Sequence, residues 1–145
     1  VNHEDSIKRI KAVRNLSGME FEGKIRDIGR VAVTDQSPEV RKNAVKELGK
    51  LSEKRCLDYL VRALYDPSGM VRSTAAWALG ELGDEKALIH LKKTIKNDFE
   101  DVKRFAFEAM LKIEGEELLT EEPAIIQEME ITGDISSMIS KESDD

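Results

Sequence analysis

A chain of 145 residues is long enough for one domain of ordinary size. Hydrophobic residues make up 40% and aromatics only 5%, so the core must be aliphatic, while 36% charged residues imply a large wetted surface. A single cysteine, Cys56, excludes an internal disulfide, two histidines exclude a histidine-rich metal centre, and no apolar run reaches the length of about 18 residues that a membrane helix needs. The expectation is a soluble, cytoplasmic protein without a cofactor. Its first residue, Val1, is compatible with a fragment, with processing or with an alternative start.

The net charge of −6 is unevenly distributed. Residues 1–113 hold 22 Lys and Arg against 18 Asp and Glu, whereas residues 114–145 hold one Lys against 11 acids. A mildly basic body therefore carries a strongly acidic C-terminal segment.

In chain order, residues 5–34 form a degenerate first unit. A shift of 32 matches Ala12, Leu16 and Met19 to Ala44, Leu48 and Leu51, and a shift of 31 then matches Ile25 to Cys56 and Asp35 to Asp66. The second unit, 35–65, opens on Ser37-Pro38, an N-cap followed by proline at the first helical position. Val40, Ala44, Leu48 and Leu51 then fall on one helical stripe, and Leu57, Leu60, Val61 and Leu64 on a second. The stretch between the stripes has room only for a turn.

The third unit, 66–96, repeats this 31 residues later, with Val71-Arg72, Ala75, Leu79, Gly80, Leu82 and Leu88. The fourth, 97–123, keeps Val102-Lys103, Ala106, Met110, Ile113 and Leu119 but has Leu111 in place of the glycine. Each unit is a helical hairpin that cannot bury its apolar faces alone, and stacking supplies the missing core. The small Ala44 and Ala75 permit close helix approach. The expected architecture is all-α: a right-handed α-solenoid of about four stacked helical hairpins over residues 1–120, then an acidic tail, 121–145. That tail is either a short helix opening near Glu122-Pro123 or a segment that folds on a partner.

The stretch "DPSGMVRSTAAWALGELGDEKAL" resembles the HEAT-like repeats found in phycobilisome bilin lyases. The resemblance covers residues 35–96 well, 97–119 fairly and 5–34 loosely. It implies that Arg41, Arg72 and Lys103 pair with acidic loop residues, for which Asp35, Asp66 and Asp98 are available. It also implies that the second helices line a concave face.

On that face three columns are expected: Lys24, Arg55 and Lys86; Val31, Arg62 and Lys93; Ile28, Tyr59 and His90. Tyr and Arg are enriched at interface hot spots, although lysines and arginines also serve simply to keep a helix face wet. The candidate partner-binding residues are Lys24, Arg55, Tyr59, Arg62, Lys86, His90 and Lys93. Cys56 aligns with apolar Ile25 and Ala87 and reads as a small core residue, and Trp77 as packing between hairpins. His3 and His90 lack the converging carboxylates of the di-iron sites that some HEAT-like proteins carry.

The function expected is that of a non-catalytic protein-protein interaction module or scaffold. Its partner would be another protein, offering an acidic or helical segment. An accessory subunit of an enzyme, bilin-lyase-like, is the alternative. Nucleic-acid binding is opposed by the acidic tail and by Asp27, Asp58 and Glu85 among the bases. A homodimer through an end face is compatible with so short a stack. The acidic tail could also fold back on the basic columns and compete with a ligand.

Overall fold

The computed structural model describes residues 3–115. Seven α-helices fill them: α1 (His3–Ser17), α2 (Lys24–Thr34), α3 (Pro38–Leu51), α4 (Leu57–Ala63), α5 (Gly69–Leu82), α6 (Leu88–Asn97) and α7 (Glu100–Glu114). Single 3-10 turns at Lys54–Cys56 and Glu85–Ala87 lead into α4 and α6. The described residues form an all-α solenoid of three hairpins and the first helix of a fourth. Leu119 and the tail, 121–145, lie outside the described residues.

Local chemistry sets the helix ends. Ser37 has extended backbone, its hydroxyl accepts from the Val40 amide, and Pro38 supplies the first helical residue. Ser68 has the same backbone (φ −90°, ψ 125°) ahead of Gly69 at the position equivalent to Pro38. That conformation suits a residue preceding proline, and Gly69 begins the helix where an amide hydrogen is dispensable. Gly69→Pro is therefore expected to stabilise the protein by about 0.4–1 kcal/mol, chiefly by restricting the unfolded chain, as read by urea denaturation. A loss of stability would show that the α5 entry differs from the α3 entry.

The first helices α1, α3, α5 and α7 form one layer, each against the next. The second helices α2, α4 and α6 lean mainly on the first helix of the following unit. Ile28, Leu48, Leu60, Leu64, Leu79, Leu91 and Ile95 are the largest side chains of the continuous core, and Cys56 is fully enclosed among them. Burial pushes the Cys56 thiol up from its ordinary range, so it stays protonated and inert.

Close approach in the first-helix layer depends on glycine. A Cβ on Gly49 would lie 2.8 Å from the Ala78 Cβ and from Cζ3 of Trp77, and one on Gly80 would lie 2.9 Å from the Ala109 Cα. Trp77 thus packs between hairpins, over Gly49. Leu111 takes the equivalent place in α7, where the described residues include no following helix.

Two sequence expectations for the first unit are corrected. Met19 lies beyond the end of α1 and is 55% exposed, while Ala12 is exposed and Val13, the counterpart of Val45, is buried. Among the described residues no helix precedes α1 to cover Ala12. In α2 the register that matches burial is 32 rather than 31. Lys24 shares the inward position of Cys56 and Ala87, and Ile28 that of Leu60 and Leu91. The cause is a shorter α4: seven positions separate Ile28 from Asp35 and Leu91 from Asp98, but six separate Leu60 from Asp66. The second-helix columns become Gly23, Arg55 and Lys86; Asp27, Tyr59 and His90; and Arg30, Arg62 and Lys93.

Candidate binding surface

An arginine–aspartate ladder fixes the geometry of the surface. Asp35, Asp66 and Asp98 close the three inter-hairpin loops, and each carboxylate holds a backbone amide of its own loop, of Ser37, Ser68 and Phe99 respectively. Each also receives a two-pronged guanidinium from the preceding hairpin. Arg9 reaches Asp35 at 2.9 and 3.1 Å, Arg41 reaches Asp66 at 2.8 and 3.0 Å, and Arg72 reaches Asp98 at 2.7 and 3.0 Å.

The third nitrogen of Arg41 donates to the Asp35 carbonyl, and that of Arg72 to the Asp66 carbonyl. Loop is thereby linked to loop. The hydrogen bonds that Arg72 donates to Asp98 hold its guanidinium above even its ordinary range, so its charge is permanent. These arginines are structural, as the resemblance implied. Arg9 extends the ladder into the degenerate unit and escaped the sequence reading, though the 32-residue shift that matches Ala12 to Ala44 also matches Arg9 to Arg41.

The seven candidate residues separate into groups. Lys24 is buried, and its ammonium donates to the Ser17 carbonyl at 3.2 Å and to Glu20 at 3.1 Å, which ties α2 to the end of α1. It does not join the others at the surface. Arg55 is exposed and holds Glu53 at 2.6 Å. Tyr59 is half-buried, with its ring lying over Gly29, where a Cβ would approach the ring to 2.5 Å. Arg55 and Tyr59 share a cleft of about 340 Å3 with Glu20, Glu22, Arg26 and Glu53. Its balance of charges makes it a poor receptor for a strongly charged ligand.

Arg62 and Lys93 lie at equivalent exposed positions on α4 and α6, with Arg30 at the same position of α2. None of the three side chains meets a carboxylate among the described residues. Beside them, His90 Nδ1 is 3.0 Å from the Tyr65 hydroxyl, and the two rings meet edge to face at 5.9 Å. Lys86 is exposed in the 3-10 turn that leads into α6. A second cleft, of about 380 Å3, is lined by Tyr65, Arg72, Lys93, Thr94, Asn97 and Phe99.

Tyr65 is 55% exposed and Phe99 77% exposed. Both were missed by the sequence reading. The available signal was their position, one aromatic just before Asp66 and one just after Asp98, in a chain with only two tyrosines and four phenylalanines.

Chemically the surface offers cations, hydrogen-bonding phenol and imidazole, and apolar ring edges. Among the described residues no group of three or more His, Cys, Asp and Glu could hold a metal ion, and no helix is long and apolar enough to cross a membrane. No curated protein matches the sequence. A family model described as HEAT repeats matches residues 25–112, a range that includes the Arg41–Asp66 and Arg72–Asp98 rungs, the glycine contacts at Gly49 and Gly80, and the cleft between Tyr65 and Phe99. With that match over more than half of its length, and with stacked helical hairpins beneath it, the chain belongs to the HEAT-repeat family.

Proposed function

We propose that the chain is a non-catalytic protein-interaction module that binds an acidic segment of another protein on the surface of α4 and α6. Repeats of this family generally mediate contacts between proteins, which supports the class of function. The observation that carries the particular surface is the pairing of exposed Arg62 and Lys93, neither neutralised by a carboxylate among the described residues, with the exposed rings of Tyr65 and Phe99. Free cations steer and orient an acidic partner, while the rings supply apolar area to be buried. Arg55, Tyr59, Lys86 and His90 extend this surface, with Arg30 added at its α2 end. Lys24 belongs to the frame that supports it.

The test is affinity capture from the source organism with wild type and with Arg62→Glu/Lys93→Glu, alongside thermal melts of both proteins. Proteins held by wild type should be lost by the variant at unchanged melting temperature. Affinity for a purified member of that set should fall by about tenfold or more. Equal retention by both would reject the α4–α6 surface. A salt-dependent mobility shift with nucleic acid, abolished by the same double variant, would assign the surface to a polyanion instead.

A further inference from the structure

The first-helix layer carries a further cleft, separate from the α4–α6 surface. Lys42, Lys46, Ser73, Thr74, Trp77 and Phe105 enclose a cleft of about 210 Å3 across α3, α5 and α7. Its walls are aromatic: Trp77 is half-buried over Gly49, and Phe105 is 38% exposed. A smaller recess lined by Trp77, Phe105, Glu108 and Ala109 continues it towards Lys112. Lys42 and Lys46, a turn apart on α3, meet no carboxylate among the described residues. A pair of rings flanked by unpaired lysines fits a ligand that alternates large aliphatic and acidic side chains.

We infer that this cleft receives the chain's own acidic segment, residues 121–145. Its composition matches both halves of the receptor. It carries eight acids and one lysine, interspersed with Met129, Ile131, Ile135, Met138 and Ile139. Ile135, Met138 and Ile139 have the i, i+3, i+4 spacing that puts three apolar side chains on one face of a helical turn.

The attachment point also suits the cleft. The segment follows from α7, the helix that contributes Phe105. Phe105 lies roughly 15 Å along the axis from the end of α7. Five extended residues reach about 17 Å, so residues 116–120 suffice as a linker. Tethering sets a local concentration on the order of millimolar, enough for a weak contact to be occupied. The cleft is chosen over the basic α4–α6 surface because exposed ion pairs alone contribute little, and the aliphatic residues need an apolar receptor.

Trp77 is the sole tryptophan and reports on the cleft directly in the full chain. In the full-length variant Met129→Ser/Ile131→Ser/Ile135→Ser/Ile139→Ser, Trp77 emission should shift to the red and acrylamide quenching should increase, with the helical melt unchanged. A synthetic peptide of residues 121–145 added to that variant should reverse both changes. The same peptide with its eight acids replaced by Gln or Asn should bind up to about tenfold more weakly, as expected for two exposed ion pairs.

Lys42→Glu/Lys46→Glu in the same background should weaken the native peptide, and a peptide with Lys at 128, 130 and 134 should recover the affinity. Emission and quenching that are identical in wild type and tail variant, with no response to peptide, would overturn the inference. A response that depends on protein concentration would overturn it in favour of a second copy in the cleft.

Discussion

Gly80→Ala should destabilise the protein by about 1–2 kcal/mol, and Gly80→Leu by about 3 kcal/mol or more, in urea unfolding monitored by circular dichroism. The sign of the first change is the informative part. In an open helix, alanine in place of glycine gains up to about 1 kcal/mol from the reduced entropy of the unfolded chain and better helix propensity. At Gly80 the added carbon would sit 2.9 Å from the Ala109 Cα and 3.0 Å from its Cβ. The first of those atoms is backbone, so relief requires moving α7 away from α5. That movement loosens the packing of Ala75, Ala106 and Leu79, all fully buried. Gly49→Ala is expected to behave in the same way, because Ala78 and the Trp77 ring occupy the space. A stabilised Gly80→Ala variant would show that the helices separate at little cost, and that the glycines do not set the spacing of the layer.

Asp66→Ala is expected to cost about 3 kcal/mol, near the lower end of the range for breaking a buried ion pair. The carboxylate side chain is 5% exposed and its Arg41 partner 13% exposed. Its removal leaves two guanidinium donors and the Ser68 amide without their acceptor, in a place where water has poor access. Asp35→Ala should cost clearly less, since Arg9 is 37% exposed and water can replace the lost carboxylate. Asp98→Ala should fall between them, beside an Arg72 that is 15% exposed. Arg41→Lys should recover little, because an ammonium cannot reproduce the two-pronged contact or reach the Asp35 carbonyl at the same time. Equal losses at Asp66 and Asp35 in denaturation would mean that the central rung is no better shielded than the terminal one.

These two effects depend on different levels of information. The periodic Val40, Ala44 and Leu48, recurring as Val71, Ala75 and Leu79, made the helices and the stack legible, because burial along a helix follows a 3.6-residue period whatever the neighbours are. Ser37-Pro38 marked a helix start for an equally local reason, a side-chain acceptor followed by a residue with no amide hydrogen. The repeated Asp and Arg residues indicated a ladder, though its forward direction and its first rung at Arg9 depend on where successive loops meet in space.

The sequence by itself determined that the chain folds as stacked helical hairpins with an aliphatic core and a basic body joined to an acidic segment. Periodicity and charge are properties of order along the chain. Only the tertiary structure decided which residues face outward on α2, because the spacing from inward residue to loop aspartate is one position shorter after α4, which puts Lys24 at the inward position of Cys56 and brings Arg30 into line with Arg62 and Lys93. It alone brought Tyr65 to His90, and Trp77 to Phe105 and the lysines of α3. Those pairs lie 25 or more positions apart in sequence, or on three different helices, and around Trp77 the approach is set by glycine-limited helix spacing that no single unit of the repeat contains.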